Sequence, residues 1–264
     1  MTAAAVPART EPPATVAAAP PVARGLRLQL ICSTCGFVSP VIALLALFGA
    51  GFMPPQHANR SAATIAKFYA TNSDLKMAGL FVGFLAIGLL GPLVAVITLQ
   101  MLRVEGRHPI MSFLQLVCGG VTWMFLSIPL LIMFVAAYRG GARPPETTQT
   151  LHDLAWILFL IPIAPFIIQN LAIATAILTD ERPNPIFPRW VAWANLLIGA
   201  SFVPDSLLGF FRIGPFAYHG LVAFWIPTVT YGIWLNIMGY ATRRAIQDEI
   251  REEHANGLTA LRAS

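Results

Sequence analysis

The sequence predicts an all-α membrane protein, built as a bundle of about six transmembrane helices. Of its 264 residues, 56% are hydrophobic and only 11% are charged, and the mean hydropathy is +0.68. A soluble domain carries about 25% charged residues, so a chain this apolar could not cover a soluble surface with polar groups. The apolar residues also occur in long continuous runs rather than in alternation, which argues against the strands of a membrane barrel.

Each run is close to the roughly 20 residues that a helix needs to cross the hydrocarbon of a bilayer. Residues 1–27 are rich in Ala and Pro and lack the apolar core of a signal peptide, so we expect a disordered cytoplasmic tail there. A membrane domain follows over residues 28–241, and residues 242–264 are expected to form a charged cytoplasmic helix and tail. The predicted spans are residues 28–53, 77–101, 110–138, 151–179, 190–211 and 217–240.

The Lys and Arg residues predict the orientation of these spans, because cytoplasmic loops carry an excess of positive charge. With the N-terminus inside, the inner segments hold 11 Lys and Arg residues and the outer segments hold 6. Both termini are therefore expected in the cytoplasm. The scarcity of Lys relative to Arg and the abundance of Ala fit a bacterial protein of the inner membrane.

The longest outer loop is predicted to contain a short helix. Within residues 61–72, Ile65, Phe68 and Tyr69 recur at helical spacing, which is typical of a helix that lies on a membrane surface. Asn59 or Ser61 would cap its first turn.

The fourth span contains an unusual group of residues near mid-membrane. Pro162 and Pro165 each remove a helical hydrogen bond and favour a kink, and Gln169 and Asn170 follow one turn later. The pattern allows two interpretations. Either Gln169 and Asn170 bind a ligand at a broken helix, or they join a structural kink to a neighbouring helix.

A second polar group is expected at the outer ends of the spans. Asp205 is a carboxylate within an apolar segment, a placement that usually has a partner or a function. Arg212, about two turns further on, is the expected partner in a structural ion pair, and a substrate or proton site is the alternative. A divalent metal site is a further alternative, since imidazole and carboxylate suit Zn, Fe or Cu; its ligands would be His57, His152, Asp153 and His219.

Three stretches carry a family resemblance: residues 54–62 (PPQHANRSA), 149–156 (QTLHDLAW) and 187–190 (FPRW). They resemble bacterial multi-spanning membrane proteins of unknown function, and the resemblance extends over most of the membrane region. It implies a bacterial protein of about six helices and assigns neither a function nor a site residue.

Three functions remain open, because no P-loop, HExxH, GxSxG or dinucleotide motif is present. The first hypothesis is a transporter-like protein or accessory membrane subunit that handles a small or lipophilic ligand, without a cofactor, through Gln169, Asn170, Asp205 and Arg212. The second is a membrane-embedded enzyme that uses a transition metal on an apolar substrate at the outer face. The third is a purely structural assembly subunit. Expected partners are the lipid bilayer, other membrane subunits or further copies of this chain, and no nucleic acid.

The orientation is testable with reporter fusions. Green fluorescent protein fused after Ser264 should fluoresce, because we expect the C-terminus to lie in the cytoplasm. Alkaline phosphatase should be active after Ala142 and inactive after Arg107, since it folds only outside the cytoplasm. Activity after Arg107 with none after Ala142 would mean the opposite orientation.

Overall fold

The structure, a computed structural model, describes residues 24–263 and the side chains of residues 24–256. All the regular structure in this range is helical. The α-helices are α1 Arg24–Gly49, α2 Ala62–Ala70, α3 Ser73–Gly88, α4 Leu90–Glu105, α5 Ile110–Tyr138, α6 Pro145–Leu160, α7 Ala164–Leu178, α8 Arg189–Ser201 and α9 Ile226–Ala263; a 3-10 helix covers Val203–Phe210 and a π-helical turn covers Leu221–Trp225.

These helices combine into six rods that are long and apolar enough to cross a membrane. The prediction of a multi-pass all-α membrane protein with six spans is confirmed at this level. The rods cover Arg24–Gly49, Ser73–Glu105, Ile110–Tyr138, Pro145–Leu178, Arg189–Phe210 and Leu221–Asn256.

Four of the six rods depart from regular α-helix. The α3–α4 rod is interrupted only at Leu89, whereas residues 161–163 separate α6 from α7. The fifth rod ends in the 3-10 helix and the sixth begins with the π-turn. The sixth rod then continues without interruption through α9, so the charged segment from residue 242 belongs to the same helix as the residues before it.

The two segments expected outside the bilayer differ from the sequence-based expectation. Residues 1–23 of the predicted tail lie outside the described residues, and residues 24–27 form the first turn of α1. The short helix α2 lies within the segment expected on the membrane surface, and Ser61 caps it by accepting a bond from the Thr64 amide. However, Ile65 and Tyr69 of α2 are buried in the protein, where α2 packs mainly on α6.

Helix α5 contacts α3, α4, α6 and α7. On one side α1 packs against α3, α4 and α9, and on the other side α8 lies between α7 and α9. The α1–α9 crossing is very close because Gly36 faces Gly239. A Cβ atom added to Gly36 would lie 2.7 Å from the carbonyl oxygen of Leu235 and 3.1 Å from the Gly239 Cα. Small residues allow this approach, which is a common basis of helix packing in membranes.

Polar side chains join α1, α4 and α9 at one end of the bundle. The buried Gln100 amide donates to Gln29 at 2.9 Å and to Glu249 at 3.0 Å. Arg103 donates to the Gln100 oxygen at 2.6 Å and pairs with Glu249 at 3.1 Å. All the partners in this network belong to the chain, so the network joins α1, α4 and α9 to one another.

We predict that Gly36→Ala destabilises the protein by about 1–3 kcal/mol, because the added methyl group meets backbone atoms that cannot move aside. Gly120→Ala is the matched control, since a Cβ there meets nothing within 4 Å and Ala favours helix over Gly by roughly 0.5–1 kcal/mol. Thermal unfolding in lipid nanodiscs measures both. Equal stability of the two variants would contradict the close α1–α9 crossing.

Candidate functional site

An apolar cavity of about 140 Å³ lies among α1, α5, the α6–α7 junction, the 3-10 helix and α9. Its volume is about ten times the ~10–15 Å³ that one water molecule needs. Leu44 of α1 lines the cavity and is 38% exposed, which places one side of the cavity at the lipid-facing surface of the bundle.

Three proline residues line the cavity. Pro40 lies inside α1, Pro162 lies in the α6–α7 junction and Pro227 lies at the start of α9, and all three line the cavity. Proline has no N–H group, so Pro162 and Pro165 leave no helical donors for the carbonyls of residues 158 and 161. Irregular backbone at membrane depth is tolerated where it is buried in protein or lines a cavity, as it does here.

Asp205 is the charged residue in the cavity wall. It belongs to the first turn of the 3-10 helix, and its side chain is buried, with 1% exposure. Neither carboxylate oxygen has a hydrogen-bond partner among the described residues. The expected ion pair with Arg212 is not formed, since the structure contains no salt bridge between them. Instead, Arg212 is exposed and interacts electrostatically with Asp153.

An aromatic cluster forms the wall beside Asp205. The Phe166 ring lies 4.7 Å from the Phe202 ring and 5.0 Å from the Tyr231 ring, measured between centroids, and all three residues line the cavity. Behind them, Trp234 lies 5.2 Å from Phe166. The indole N–H of Trp234 donates to Asn195 at 2.9 Å, so this polar pair joins α8 to α9 away from the cavity.

Gln169 and Asn170 are buried but do not line this cavity. The Gln169 amide nitrogen packs over Gly119 of α5, 2.8 Å from where a Cβ would stand, and it has no hydrogen-bond partner. The Asn170 amide donates to the Phe166 carbonyl at 2.8 Å, and its side chain lies against Gly199 of α8. The structure thus places both at helix contacts.

At the end of the bundle that carries α2, Tyr69 and His152 form a buried pair. The Tyr69 hydroxyl lies 3.0 Å from His152 Nδ1. Burial is the main cause that raises the pKa of Tyr69, so the phenol keeps its proton and can donate it to the ring nitrogen. The other ring nitrogen of His152, Nε2, has no hydrogen-bond partner. This contact attaches α2 to α6.

The remaining polar residues of this end form two further pairs. The Tyr218 hydroxyl donates to Asp153 at 3.5 Å. The His57 and His219 rings lie 4.3 Å apart between centroids, and the Ala58 amide donates to His219 Nδ1 at 3.1 Å. His57, His152, Asp153 and His219 are thus divided among separate contacts. In the described part of the chain, no three His, Cys, Asp or Glu residues are grouped so that they could hold a metal ion.

Sequence reasoning identified Asp205 and Pro162 but missed the residues that complete the cavity. Nothing in the sequence distinguishes Phe166, Phe202 and Tyr231 from the many other aromatic residues of the spans. Pro40 and Pro227 do carry a signal, because proline inside an apolar run marks a place where the helix cannot pack regularly. Comparison with known proteins found no matching family model, no matching curated protein and no matching solved structure.

The His219 contact predicts a pH dependence of the loop that contains Ala58. Burial, and then the adjacent His57 ring, lower the pKa of His219 below its ordinary 6.5. The neutral ring accepts the Ala58 bond, so its contribution to stability is present above pH 6.5 and is lost as the pH falls through the lower pKa of the folded state. Hydrogen exchange of residues 54–60, corrected for intrinsic rates, should therefore accelerate between about pH 7 and pH 5.

His219→Gln should abolish this acceleration, because the Gln oxygen can accept the Ala58 bond and does not titrate. His108→Gln is the control, since His108 is exposed between α4 and α5 and takes no part in the contact. Wild-type exchange that is the same at both pH values would contradict the prediction.

Proposed function

We propose that this chain is a transporter-like or accessory membrane protein that binds a small lipophilic ligand in the cavity beside Asp205. We place it in a bacterial inner membrane with both termini in the cytoplasm. The observation that carries the proposal is the Asp205 carboxylate, which is buried without a hydrogen-bond partner in the wall of an intramembrane cavity.

A buried carboxylate without a partner is expensive to keep. Desolvation of an unpaired charge destabilises the folded state, and even a neutral polar group without a hydrogen bond costs about 1–3 kcal/mol. The other buried residues of these charge types do have partners: Lys76 donates to the Thr71 carbonyl at 2.6 Å, and Asp180 accepts from the Ile186 amide at 3.1 Å. Such an exception favours a functional role, in which a group from outside the chain pairs with Asp205.

The apolar walls favour a lipophilic ligand. Two of the hydroxyl groups in the wall are already bonded to backbone: Ser39 donates to the Ala86 carbonyl at 2.8 Å and Thr122 donates to the Cys118 carbonyl at 2.8 Å. They therefore offer little to a polar ligand. The volume of about 140 Å³ is close to that of an engineered apolar cavity of ~150 Å³ that binds benzene.

The irregular helices around the cavity favour a transporter-like role over a purely structural one. The α6–α7 junction, the 3-10 helix and the start of the sixth rod contribute Pro162, Asp205 and Pro227 to one space. Binding sites of membrane transporters are often built from such discontinuous helices near mid-membrane.

Photolabelling tests the proposal. The protein in lipid nanodiscs would be labelled with an apolar phenyl-diazirine and the labelled residues mapped by mass spectrometry. We expect labelling of Phe202 and Tyr231, which line the cavity and are only partly exposed, in addition to lipid-facing residues such as Leu197, which is 74% exposed.

A cavity-filling variant provides the comparison. Gly232 lines the cavity and a Cβ there meets nothing within 4 Å, so Gly232→Leu should fill the space without a backbone clash. Labelling of Phe202 and Tyr231 should fall several-fold, while labelling of Leu197 stays constant. Gly120→Leu, at an equally open glycine outside the cavity wall, should change neither. Unchanged labelling in Gly232→Leu would show that the probe does not occupy the cavity and would overturn the proposal.

A further inference from the structure

We infer that the ligand of this cavity is an organic cation with an apolar body, and that its positive charge pairs with the Asp205 carboxylate. This inference rests on the proposed ligand-binding function and adds the charge class of the ligand. Three features of the site carry it: the charge of the wall, the unused oxygens of Asp205 and the aromatic rings beside them.

The described residues that line the cavity include an acid and no base. Among the described residues that line the cavity, Asp205 is an acid and none is a Lys, Arg or His. The nearest candidate cation in sequence, Arg212, is exposed and interacts with Asp153. An anionic ligand would find no basic group among the described wall residues to pair with, and an ionised Asp205 would repel it strongly in a medium of low dielectric constant.

No hydrogen bond within the described chain explains why the Asp205 side chain is buried. A carboxylate in the first turn of a helix commonly accepts bonds from free backbone amides. Neither oxygen of Asp205 accepts such a bond, although its own amide donates to the Phe202 carbonyl at 3.0 Å. Both oxygens therefore lack a partner within the described chain, and a neutral hydrocarbon would leave them unpaired.

The aromatic rings favour an organic cation over a metal ion. Phe166 makes edge-to-face contacts with Phe202 and with Tyr231, and all three residues line the cavity. Faces of aromatic rings attract cations, with a strength of ~2 kcal/mol or more in desolvated sites. Hard metal ions instead require about six oxygen ligands, and the Ser39 and Thr122 hydroxyls are bonded to backbone. A substituted ammonium group on an apolar body matches both the carboxylate and the rings.

Two probes of the same shape and different charge test the inference. Benzyltrimethylammonium carries a quaternary nitrogen where neopentylbenzene carries a carbon, so the two compounds differ mainly in charge. Each would compete with diazirine labelling of Phe202 and Tyr231 in nanodiscs, at matched mole fractions in the bilayer. In the wild type, half-protection should need about tenfold less of the cation than of the neutral compound.

Asp205→Asn should remove this preference while protection by neopentylbenzene stays unchanged, because the cavity keeps its shape and loses its charge. Asp205→Glu should keep most of the preference. Asp74→Asn is the control, since Asp74 is exposed near the start of α3 and lies outside the cavity wall. Thermal unfolding identifies folded variants, and Asp205→Asn should be at least as stable as the wild type because it removes an unpaired buried charge.

The possible outcomes separate the two proposals. Equal protection by the cation and the neutral compound, unchanged by Asp205→Asn, would overturn the cationic ligand and leave a cavity that binds neutral lipophiles. If Gly232→Leu also fails to reduce labelling, the ligand-binding function itself is overturned. A preference for the cation that persists in Asp205→Asn would assign the selectivity to the aromatic rings alone and would overturn the role of Asp205.

Discussion

The absence of water from the hydrocarbon of a bilayer is the constraint on which this structure depends. Each backbone polar group there must be bonded within its own helix or by a neighbour, so the chain crosses as helices. Proline removes a donor, and next to Pro162 and Pro165 the fourth rod is interrupted over residues 161–163. The cavity lies at this interruption, where Pro162 lines it together with Pro40 and Pro227 from two other rods.

The same constraint applies to polar side chains and distinguishes structural contacts from a candidate site. Gln100, Arg103 and Glu249 bond to one another at one end of the bundle, and the Tyr69 hydroxyl bonds to His152 Nδ1 at the other. Asn195 and Trp234 bond to each other between α8 and α9. Asp205 differs from these groups because it lines a cavity and its carboxylate has no partner among the described residues. The distinction lies in the surroundings of the residue, since all these side chains are polar groups in apolar segments.

The contact between α2 and the bundle shows how a short helix acquires a fixed position. Helix α2 has only nine residues, too few for a stable helix on its own. It is capped by Ser61, and the burial of Ile65 and Tyr69 attaches it to the protein. The His57 and His219 contact joins the preceding loop to the segment before the last span. This end of the bundle is therefore a folded layer, and its histidines have contacts within the chain.

The sequence by itself determined the class of fold and the six spans, because hydropathy over some 20 residues depends only on composition and length. It also singled out Asp205 and the kink at Pro162, since both violate rules that hold within one segment. It could not decide which of these irregular residues meet. Gln169 and Asn170 follow Pro162 closely in sequence, yet they face α5 and α8. Asp205, from another span, faces the cavity instead. Side-chain direction around a helix and the order of helices in the bundle depend on packing between distant segments, and only the tertiary structure decided them.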